Sequence, residues 1–476
     1  MRDLETEVAI IGAGTAGLAA RSAARHAGAT TVLFEAGPGG TTCARVGCMP
    51  SKLLIAAGQA AHATRRLSDF GLHLSEPVAI DGRAVMARVR RERDRFVAGP
   101  LGTMDRIPAA EKLAGQARFE NGTTLIVGDH TRVRARAIVI ATGSRPGVPA
   151  ELGTLGDRVL TSDTVFEHET LPASLAVVGA GPLGIELAQA FARLGVRVAV
   201  FDRSGSIGGL ADPAVTLAAK GLLGRELDLK FGVEMAAART GEGVRIDWRS
   251  DEGEGSGLFE RVLVAAGRTP NLDGLSLERA GLELNNKGIP VFDRATLRCG
   301  ESAVFIAGDA DADLPVLHEA ASEGAIAGRN AAWYPRVEPA GRMAPLSIVY
   351  TDPEIAQVGG GWRAAEGEDV VTGETDLAGS GRARVMNRNA GLIRVYARRS
   401  DGRLLGGEMI GPDCEHLAHL LAWAVQRGMT PGEVLALPFY HPTIAESLRS
   451  AVRQLCTAVR SWPARREEDL EFGPGG

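Results

Sequence analysis

Short apolar runs that end in glycine recur along the first two thirds of the chain. The segments EVAIIGAG (7–14) and LAVVGAG (175–181) each read as a buried strand that enters a tight turn. An alanine-rich helical stretch follows each turn, and a second apolar run then ends in an acid, TTVLFE at Glu35 and VRVAVFD at Asp202. The pattern predicts two strand–helix–strand units of the same design.

Three further apolar runs also meet a glycine. They read AIVIATGSRP (137–146), RVLVAAGRTPN (261–271) and VFIAGDA (304–310). Taken alone, each of these runs is a buried strand that ends at a turn.

The texture changes from about residue 340 onward. Alternating segments typical of strands (SIVYTDPEIAQVG, GLIRVYAR and LLGGEMIG) precede two helical stretches, 413–428 and 443–460. This order predicts a separate α+β domain. The charged, glycine-rich tail that follows is expected to be frayed.

The length and composition of the chain indicate how many domains it forms and in which cellular compartment it is expected. A chain of 476 residues with 45% hydrophobic residues, 61 glycines and few aromatics suits several α/β domains. Its net charge of -5 gives no general attraction to nucleic acid or to an anionic membrane. No apolar run approaches the length of a membrane span, and the N-terminus lacks the pattern of a secretory signal. We therefore expect a cytoplasmic protein.

The two duplicated turns carry the spacing G-x-G-x-x-G, with the acid 23 residues after the first glycine in both. The first glycine permits the tight turn, the second lets the backbone approach a pyrophosphate, and the third lets helix pack on strand. The helix N-terminus then holds phosphate, and the acid accepts hydrogen bonds from ribose hydroxyls. We therefore predict two dinucleotide sites. The glycines are Gly12, Gly14 and Gly17 in the first, and Gly179, Gly181 and Gly184 in the second.

Two of the five cysteines, Cys43 and Cys48, lie in the segment TTCARVGCMPSK (41–52). A metal site needs three or four ligands at characteristic spacings, and this segment offers two. In a regular helix residues five apart lie about 8.6 Å apart, beyond the limit of about 6.8 Å for a disulfide. The segment must therefore be distorted, with Gly47 as the source of backbone freedom. Pro50 suits the first turn of a helix, whose N-terminus stabilises a thiolate.

A redox role is favoured over a structural staple, because so small a ring stabilises a large protein weakly. A dithiol exchanges two electrons, a nicotinamide carries a hydride, and a flavin can mediate between them. Two dinucleotide sites beside one cysteine pair therefore suggest one site for FAD and one for NAD(P).

With these motifs the chain resembles the class I pyridine nucleotide–disulfide oxidoreductases over residues 5–460, and among them most of all the dihydrolipoyl dehydrogenases. CARVGCMPSK is similar to the family pattern C-x4-C-x-P-[ST]-K, and the ATG, AAGR, AGD, YTDPEIAQVG and HPTIAE segments complete the likeness. The resemblance implies an α/β fold with two Rossmann-like domains, for FAD and NAD, and a C-terminal α+β dimerisation domain. The implied limits are 1–148 and 271–338 for FAD, 149–270 for NAD(P), 339–465 for dimerisation, and 466–476 for a flexible tail.

The resemblance also implies roles for individual residues. Cys43 exchanges with substrate, Cys48 faces the flavin, and Lys52 pairs with Glu186 beside it. His441 and Glu446 form an acid–base pair that serves the cysteines of the other subunit, although by spacing alone a structural role for His441 stays open. The implied FAD contacts are Gly12, Gly14, Gly17, Glu35, Thr42, Lys52, Ala117, Thr142, Gly143 and Asp309. The implied nicotinamide contacts are Gly179, Gly181, Gly184, Asp202, Arg203 and Gly267, and no metal site is implied.

The function implied is oxidation of dihydrolipoamide by NAD+ through a Cys43–Cys48 disulfide and FAD, in a homodimer. The partner is then a lipoyl-bearing protein or a small disulfide. Asp202 favours NAD, whereas the adjacent Arg203 suits the 2′-phosphate of NADP. The doubled threonine and the Ala44-Arg45 pair depart from the family pattern and leave the disulfide substrate open. The alternatives are an NAD(P)H-dependent reductase of the glutathione or mycothiol type, and a flavoprotein without turnover.

Overall fold

A computed structural model describes residues 2–366 and 369–459 of the chain. The expected flexible tail, 466–476, lies outside the described residues. The described chain divides into two compact units. The first lies within Met1–Pro50, Val89–Gly147 and Arg268–Met343, and the second within Ser51–Arg88, Val148–Gly267 and Ala344–Gly476.

Strands and helices follow one another along both units. The strands are β1 Arg2–Ile11, β2 Thr31–Glu35, β3 Lys112–Ala114, β4 Ala117–Asn121, β5 Thr124–Val127, β6 Thr131–Ile140, β7 Ser144–Pro146, β8 Val159–Leu160, β9 Ser174–Val178, β10 Arg197–Asp202, β11 Asp228–Phe231, β12 Glu234–Arg239, β13 Val244–Ser250, β14 Gly253–Phe259, β15 Arg261–Val264, β16 Arg268–Pro270, β17 Val304–Ile306, β18 Leu346–Val349, β19 Glu354–Gly359, β20 Val370–Asp376, β21 Leu392–Arg398 and β22 Leu404–Gly411. The helices are α1 Thr15–His26, α2 Thr42–Arg45, α3 Cys48–Arg65, α4 Gly82–Asp105, α5 Ala150–Gly153, α6 Pro182–Arg193, α7 Pro213–Leu223, α8 Leu317–Trp333, α9 Gly361–Ala365, α10 Gly381–Val385, α11 Cys414–Gln426, α12 Pro431–Leu435 and α13 Ala445–Val459.

The first unit is built on a sheet with the strand order β3-β2-β1-β6-β5-β4, and β17 also pairs with β6. Strands β3, β2, β1, β6 and β17 pair in parallel, and β5 and β4 continue the sheet antiparallel. Residues Val8 to Ile11 are almost fully buried. A parallel strand covered on both faces is apolar at every position, which is why this strand reads as a continuous apolar run.

Helices α1 and α8 of the first unit pack together through small residues. A side chain at Gly324 would meet the backbone oxygen of Ala16 at 2.2 Å, and one at Gly328 would meet that of Ala20 at 2.1 Å. Since a Cβ atom cannot be placed so close to backbone, these glycines allow the two helices to touch. The contact fixes α1, whose N-terminus follows the first glycine turn.

The second unit contains a parallel sheet with the strand order β11-β10-β9-β15-β8. Antiparallel strands β12, β13 and β14 form a smaller sheet in the same unit. Trp248 of this smaller sheet packs against Phe201 of β10, with ring centroids 5.3 Å apart. The second strand–helix–strand unit predicted from the sequence corresponds to β9, α6 and β10.

The C-terminal part of the second unit is an antiparallel sheet with the strand order β18-β19-β22-β21-β20. Helices α11 and α13 pack on this sheet. Their buried side chains in the shared core include Leu417, Leu421, Leu448 and Leu455. The predicted helical stretches 413–428 and 443–460 correspond to α11 and α13, with the short α12 between them. The predicted α/β fold with two Rossmann-like sheets and a C-terminal α+β part is confirmed. Within the described residues, no helix has both the length and the apolarity that a membrane crossing requires.

Candidate functional site

The first glycine turn is fixed by close backbone contacts in the first unit. Gly12 has φ +106°, and a side chain there would lie 2.2 Å from the backbone oxygen of Ala141. A side chain at Gly17 would lie 1.8 Å from the oxygen of Gly12, so α1 packs directly on the turn. At Gly14, by contrast, no atom of the described chain lies within 4 Å of an added Cβ. Gly12 and Gly17 are thus required by close backbone contacts. Gly14 instead leaves open space beside the turn.

Glu35 closes the same turn from the end of β2. Its Oε2 accepts a hydrogen bond from the N–H of Ala13 at 2.9 Å, and its Oε1 accepts one from Gly37 at 2.6 Å. The carboxylate therefore braces the turn as well as marking the end of the strand.

Asp202 repeats this arrangement in the second unit. Its Oδ2 accepts from the N–H of Ala180 at 2.7 Å, and its Oδ1 accepts from the N–H and hydroxyl of Ser204 at 2.7 Å. Gly179 has φ +108°, and a side chain there would lie 2.4 Å from the oxygen of Ala265. The sequence repeat is thus also a repeat of atomic contacts.

The surroundings of both turns fit a dinucleotide. No described residue lies within 4 Å of an added Cβ at Gly14 or at Gly181, and these two glycines, the N-caps of α1 and α6, offer no side-chain hydrogen bond to their helices. The Oγ1 of Thr142, which follows Ala141, is buried without a hydrogen-bond partner among the described residues. Open N–H groups at a helix N-terminus bind phosphate. The two turns can therefore hold the pyrophosphates of FAD and NAD(P).

Asp309 lies in a turn after β17 and is held by two residues that are not among the predicted site residues. The hydroxyl of Ser144 donates to Asp309 Oδ2 at 2.7 Å, and Arg268 Nε donates to that hydroxyl at 2.7 Å. Arg268 Nε also lies 3.7 Å from Asp309 Oδ2. Ser144 directly follows the predicted residue Gly143, and Arg268 directly follows the predicted residue Gly267. This adjacency is the sequence signal from which both partners could have been predicted.

The cysteine segment is distorted as predicted, and Gly47 takes part in the distortion through its missing side chain. Helix α2 ends at Arg45, and α3 begins at Cys48, with Pro50 in its first turn. Gly47 does not have a positive φ; instead, a side chain there would lie 3.1 Å from the oxygen of Thr42 and 3.2 Å from Cys43 Cα. Gly47 is therefore needed for the close approach of the chain to Cys43. Cys43 is half-buried and Cys48 is exposed.

Lys52 and Glu186 are brought together in the second unit, as expected. Lys52 Nζ lies 2.9 Å from Glu186 Oε1 and 2.7 Å from Oε2, and the Glu186 side chain is only 4% exposed. The N–H of Tyr350 donates to the same carboxylate at 2.8 Å, and its ring lies under the ammonium group, 4.5 Å away. Burial, with the nearby carboxylates Glu415, Glu354 and Glu186, raises the pKa of Tyr350 to about 12. Tyr350 thus stays neutral beside this ion pair.

His441 and Glu446 form the second expected pair. His441 Nδ1 lies 2.9 Å from Glu446 Oε1, and the N–H of Thr443 donates to Oε2 at 3.0 Å. Glu446 is in the first turn of α13, which orients its carboxylate. Because a carboxylate only accepts, Nδ1 carries the proton and Nε2 is the basic nitrogen. The histidine side chain is 61% exposed, so Nε2 can reach a molecule outside this chain.

The other predicted contact residues lie as follows. Thr42 begins α2, Gly143 has φ +69°, Ala117 is buried in β4 opposite Val127, Arg203 is exposed beyond β10, and Gly267 has φ +109°. Among the described residues, no group of three or more His, Cys, Asp or Glu side chains is placed to hold a metal ion. Burial, with the charge of Asp311, raises the pKa of the Cys299 thiol to about 12. Burial raises the pKa of Cys414 as well, so neither thiol is poised for exchange.

The chain is similar to known proteins over most of its length. Residues 6–325 match the family described as pyridine nucleotide–disulphide oxidoreductase, and residues 346–452 match its dimerisation domain. The dihydrolipoyl dehydrogenase of Geobacillus stearothermophilus is 30% identical over 453 residues, which cover 93% of this chain and 94% of that protein. The mercuric reductase of Acidithiobacillus ferrooxidans is 31% identical over 473 residues, covering 96% and 84%.

A solved structure shows the same likeness in three dimensions. That of LpdA from Mycobacterium tuberculosis superposes with a TM-score of 0.81 at 26% identity, covering 94% of this chain and 99% of that one. Proteins of this family use FAD and NAD(P). The chain is an oxidoreductase that belongs to the pyridine nucleotide–disulphide oxidoreductase family.

Proposed function

We propose that the chain is a dihydrolipoyl dehydrogenase that reoxidises dihydrolipoamide with NAD+ through a Cys43–Cys48 disulfide. The observation that carries this proposal is the exposed His441–Glu446 pair, with Nδ1 and Oε1 2.9 Å apart. An imidazole oriented by a carboxylate is a suitable base for a substrate thiol. Relatives at about 30% identity that carry this enzyme's name support the proposal.

The proposed reaction begins at His441, whose Nε2 takes a proton from a thiol of dihydrolipoamide. The thiolate attacks Cys43 Sγ, the Cys43–Cys48 bond breaks, and Cys48 leaves as a thiolate. The second substrate thiol then displaces Cys43 from the mixed disulfide, which closes the lipoamide ring. The two electrons of the substrate now reside on the reduced cysteine pair.

The chemistry that FAD supplies when bound is two-electron transfer between a dithiol and a nicotinamide. Residues 1–148 and 271–338 form the proposed FAD domain, with Gly14, Glu35, Thr142 and Asp309 as its contacts. The proposed NAD domain is 149–270, where the turn of Gly181 holds the pyrophosphate. Lys52 and Glu186 present a fixed ion pair from α3 and α6. With its charge neutralised by Glu186, Lys52 acts as a positioned hydrogen-bond donor.

We propose a homodimer, because His441 then serves the cysteine pair of a second copy. Its exposure of 61% and the 81% exposure of the adjacent Tyr440 support a role at an intermolecular surface. The match of residues 346–452 to a dimerisation domain supports the same view. The proposed dimerisation domain is 339–465.

An NAD(P)H-dependent reductase of a small disulfide is the alternative function. Both oxygens of Asp202 already accept hydrogen bonds from the chain, and Arg203 is exposed next to it. A guanidinium in that position suits the 2′-phosphate of NADP. The alternative therefore concerns the nicotinamide and the substrate, whereas the use of the cysteine pair is the same.

Steady-state assays with NAD+ and dihydrolipoamide, against NADPH and glutathione disulfide, test this function. The first pair of substrates is expected to be faster, and the reverse order overturns the proposal in favour of the alternative. In the Cys43→Ser variant, dihydrolipoamide turnover should be lost while flavin absorbance is retained. Full activity of that variant contradicts the disulfide mechanism. His441→Gln should slow turnover by about 100-fold, whereas the exposed control His416→Gln should not.

A further inference from the structure

A cluster of buried carboxyl groups lies behind the Gly308–Asp309 turn of the first unit. Asp311, Glu319 and Glu323 are 5%, 1% and 0% exposed. Arg342 donates to Glu319 Oε2 at 3.0 Å and also to Glu323 Oε1. Nearby, Arg294 pairs with Asp313 at 2.6 Å. Two of the three buried carboxyl groups thus share one guanidinium, which does not contact Asp311, and burial of unpaired charge is costly.

Asp311 and Glu323 meet at Gly308, whose carbonyl accepts from the N–H of Asp311 at 2.9 Å and whose N–H donates to Glu323. Asp311 Oδ1 accepts from the N–H of Asp313 at 2.9 Å. Its Oδ2 is buried, and among the described residues no N–H or O–H donor reaches it. Two ionised carboxylates buried at the same peptide repel each other, which favours protonation of one of the pair. Burial, with the charge of Glu323, raises the pKa of Asp311 to about 8.

Glu323 connects this pair to the turn. Its Oε2 accepts a hydrogen bond from the N–H of Gly308 at 2.7 Å. Gly308 has φ +69°, and an added Cβ there would lie 2.9 Å from the Cβ of Ala16 and 3.3 Å from that of Ala320. The turn is therefore packed between α1 and α8 and has little room to shift. Ser144 holds Asp309 from the other side.

We propose that Asp311 and Glu323 share one proton, and that this proton positions the Gly308–Asp309 turn to bind the ribityl chain of FAD. The inference rests on the flavin contact proposed for Asp309. Both are positioning residues, since they act through the backbone of Gly308.

Loss of the shared proton changes the charge around the turn. Glu323 contacts Arg342, which also contacts Glu319 of the same helix, while Asp311 faces Asp313 and the thiol of Cys299. Cys299 stays neutral because burial raises its pKa to about 12. Above pH 8 the pair becomes two adjacent anions that Arg342 alone cannot balance. Repulsion then displaces Glu323 and loosens the hydrogen bond to Gly308.

The first test detects the proton by infrared spectroscopy on the full-length protein as purified. A band of a protonated carboxyl group is expected below pH 8 and should vanish above it. Asp311→Asn should remove this band, whereas Glu319→Gln, which alters the same cluster without touching Gly308, should keep it. A wild-type spectrum without a carboxyl band that titrates near pH 8 overturns the inference, whether or not the variants fold.

The second test measures release of flavin from the purified protein by the rise of its fluorescence on dilution. From pH 7 to pH 9 the wild-type release rate should increase about tenfold, the change expected when the loss of one proton from a group with a pKa of about 8 controls release. In Asp311→Asn the flavin release rate should not change with pH. In Glu319→Gln it should change with pH as it does in the wild type. The same pH profile in Asp311→Asn overturns the positioning role but leaves flavin binding intact. A protein purified without flavin defeats the proposed function itself, and the inference with it.

Discussion

Lys52 and Glu186, 134 residues apart in the sequence, form an ion pair in which both carboxylate oxygens lie within 2.9 Å of one ammonium nitrogen. The pair is asymmetric in its exposure, since the Lys52 side chain is 32% exposed and that of Glu186 only 4%. The buried carboxylate of Glu186 therefore depends on the charge of Lys52 for its stability in the folded protein.

Lys52→Met leaves the Glu186 carboxylate buried with the Tyr350 N–H but without its cation. We expect a loss of about 1–3 kcal/mol in the free energy of unfolding, measured by urea denaturation. The exposed pair of Arg249 and Glu234 is the control, because Arg249→Met should cost less than about 1 kcal/mol. Equal losses in the two variants contradict the importance of burial at Glu186.

Gly47→Ala tests the close approach of the chain to Cys43. The added Cβ would lie 3.1 Å from the oxygen of Thr42 and 3.2 Å from Cys43 Cα, so backbone must shift. We expect a loss of about 1–3 kcal/mol in stability and slower dihydrolipoamide turnover with flavin retained. In Gly221→Ala, an exposed helical site with nothing within 4 Å, stability should rise by up to about 1 kcal/mol. Unchanged turnover in Gly47→Ala would show that the segment tolerates the shift.

Asp352 supports an acid-sensitive network in the second unit. It accepts from Arg193 at 3.0 Å and from Arg388 at 2.6 Å. Although burial acts to raise it, the charges of Arg388 and Arg193 hold the pKa of Asp352 below its usual value. Because the folded pKa lies below the unfolded one, this stabilisation is present above about pH 4 and is lost as the pH falls through the folded pKa.

Asp352→Asn should therefore cost about 3 kcal/mol at neutral pH and flatten the loss of stability in acid. Urea titrations at a series of acidic pH values measure both effects. The control is Asp129→Asn at a fully exposed carboxylate, which should leave the profile as it is. An acid profile in Asp352→Asn as steep as that of the wild type would mean that other groups cause it.

Asp202 sets the expected preference for NAD. Asp202→Asn keeps an oxygen for the N–H of Ala180 but loses the charge that disfavours a 2′-phosphate. We expect kcat/KM for NAD+ relative to NADP+ to fall about tenfold, a change of about 1.4 kcal/mol. A wild-type enzyme that already prefers NADP+ would refute the assignment and favour the role of Arg203 instead.

The sequence was most informative where structure depends on neighbours in the chain. The apolar run before Gly12, the helix after it and the acid at Glu35 are all within one local unit, and the same holds for the second copy. The short helix α12 was missed although it has a local signal, a capping box between Thr430 and Glu433.

Contacts between distant segments were accessible only through family resemblance, or not at all. The pairing of Lys52 with Glu186 was expected from resemblance, whereas the hold of Ser144 on Asp309 spans 165 residues without a sequence pattern. Gly47 shows a subtler limit. A glycine in a sequence does not reveal whether it supplies a positive φ or a missing side chain, because only the neighbouring chain decides between them.

The twofold duty of Glu35 and Asp202 bears on how nucleotide preference can be redesigned. Each carboxylate braces its glycine turn through an alanine N–H, so exchanging the acid alters the scaffold together with the ligand contact. Substitutions at Arg203 should disturb the fold less, because this side chain is exposed beside Asp202. Libraries that vary position 203 and keep Asp202 are accordingly the economical route to a changed coenzyme.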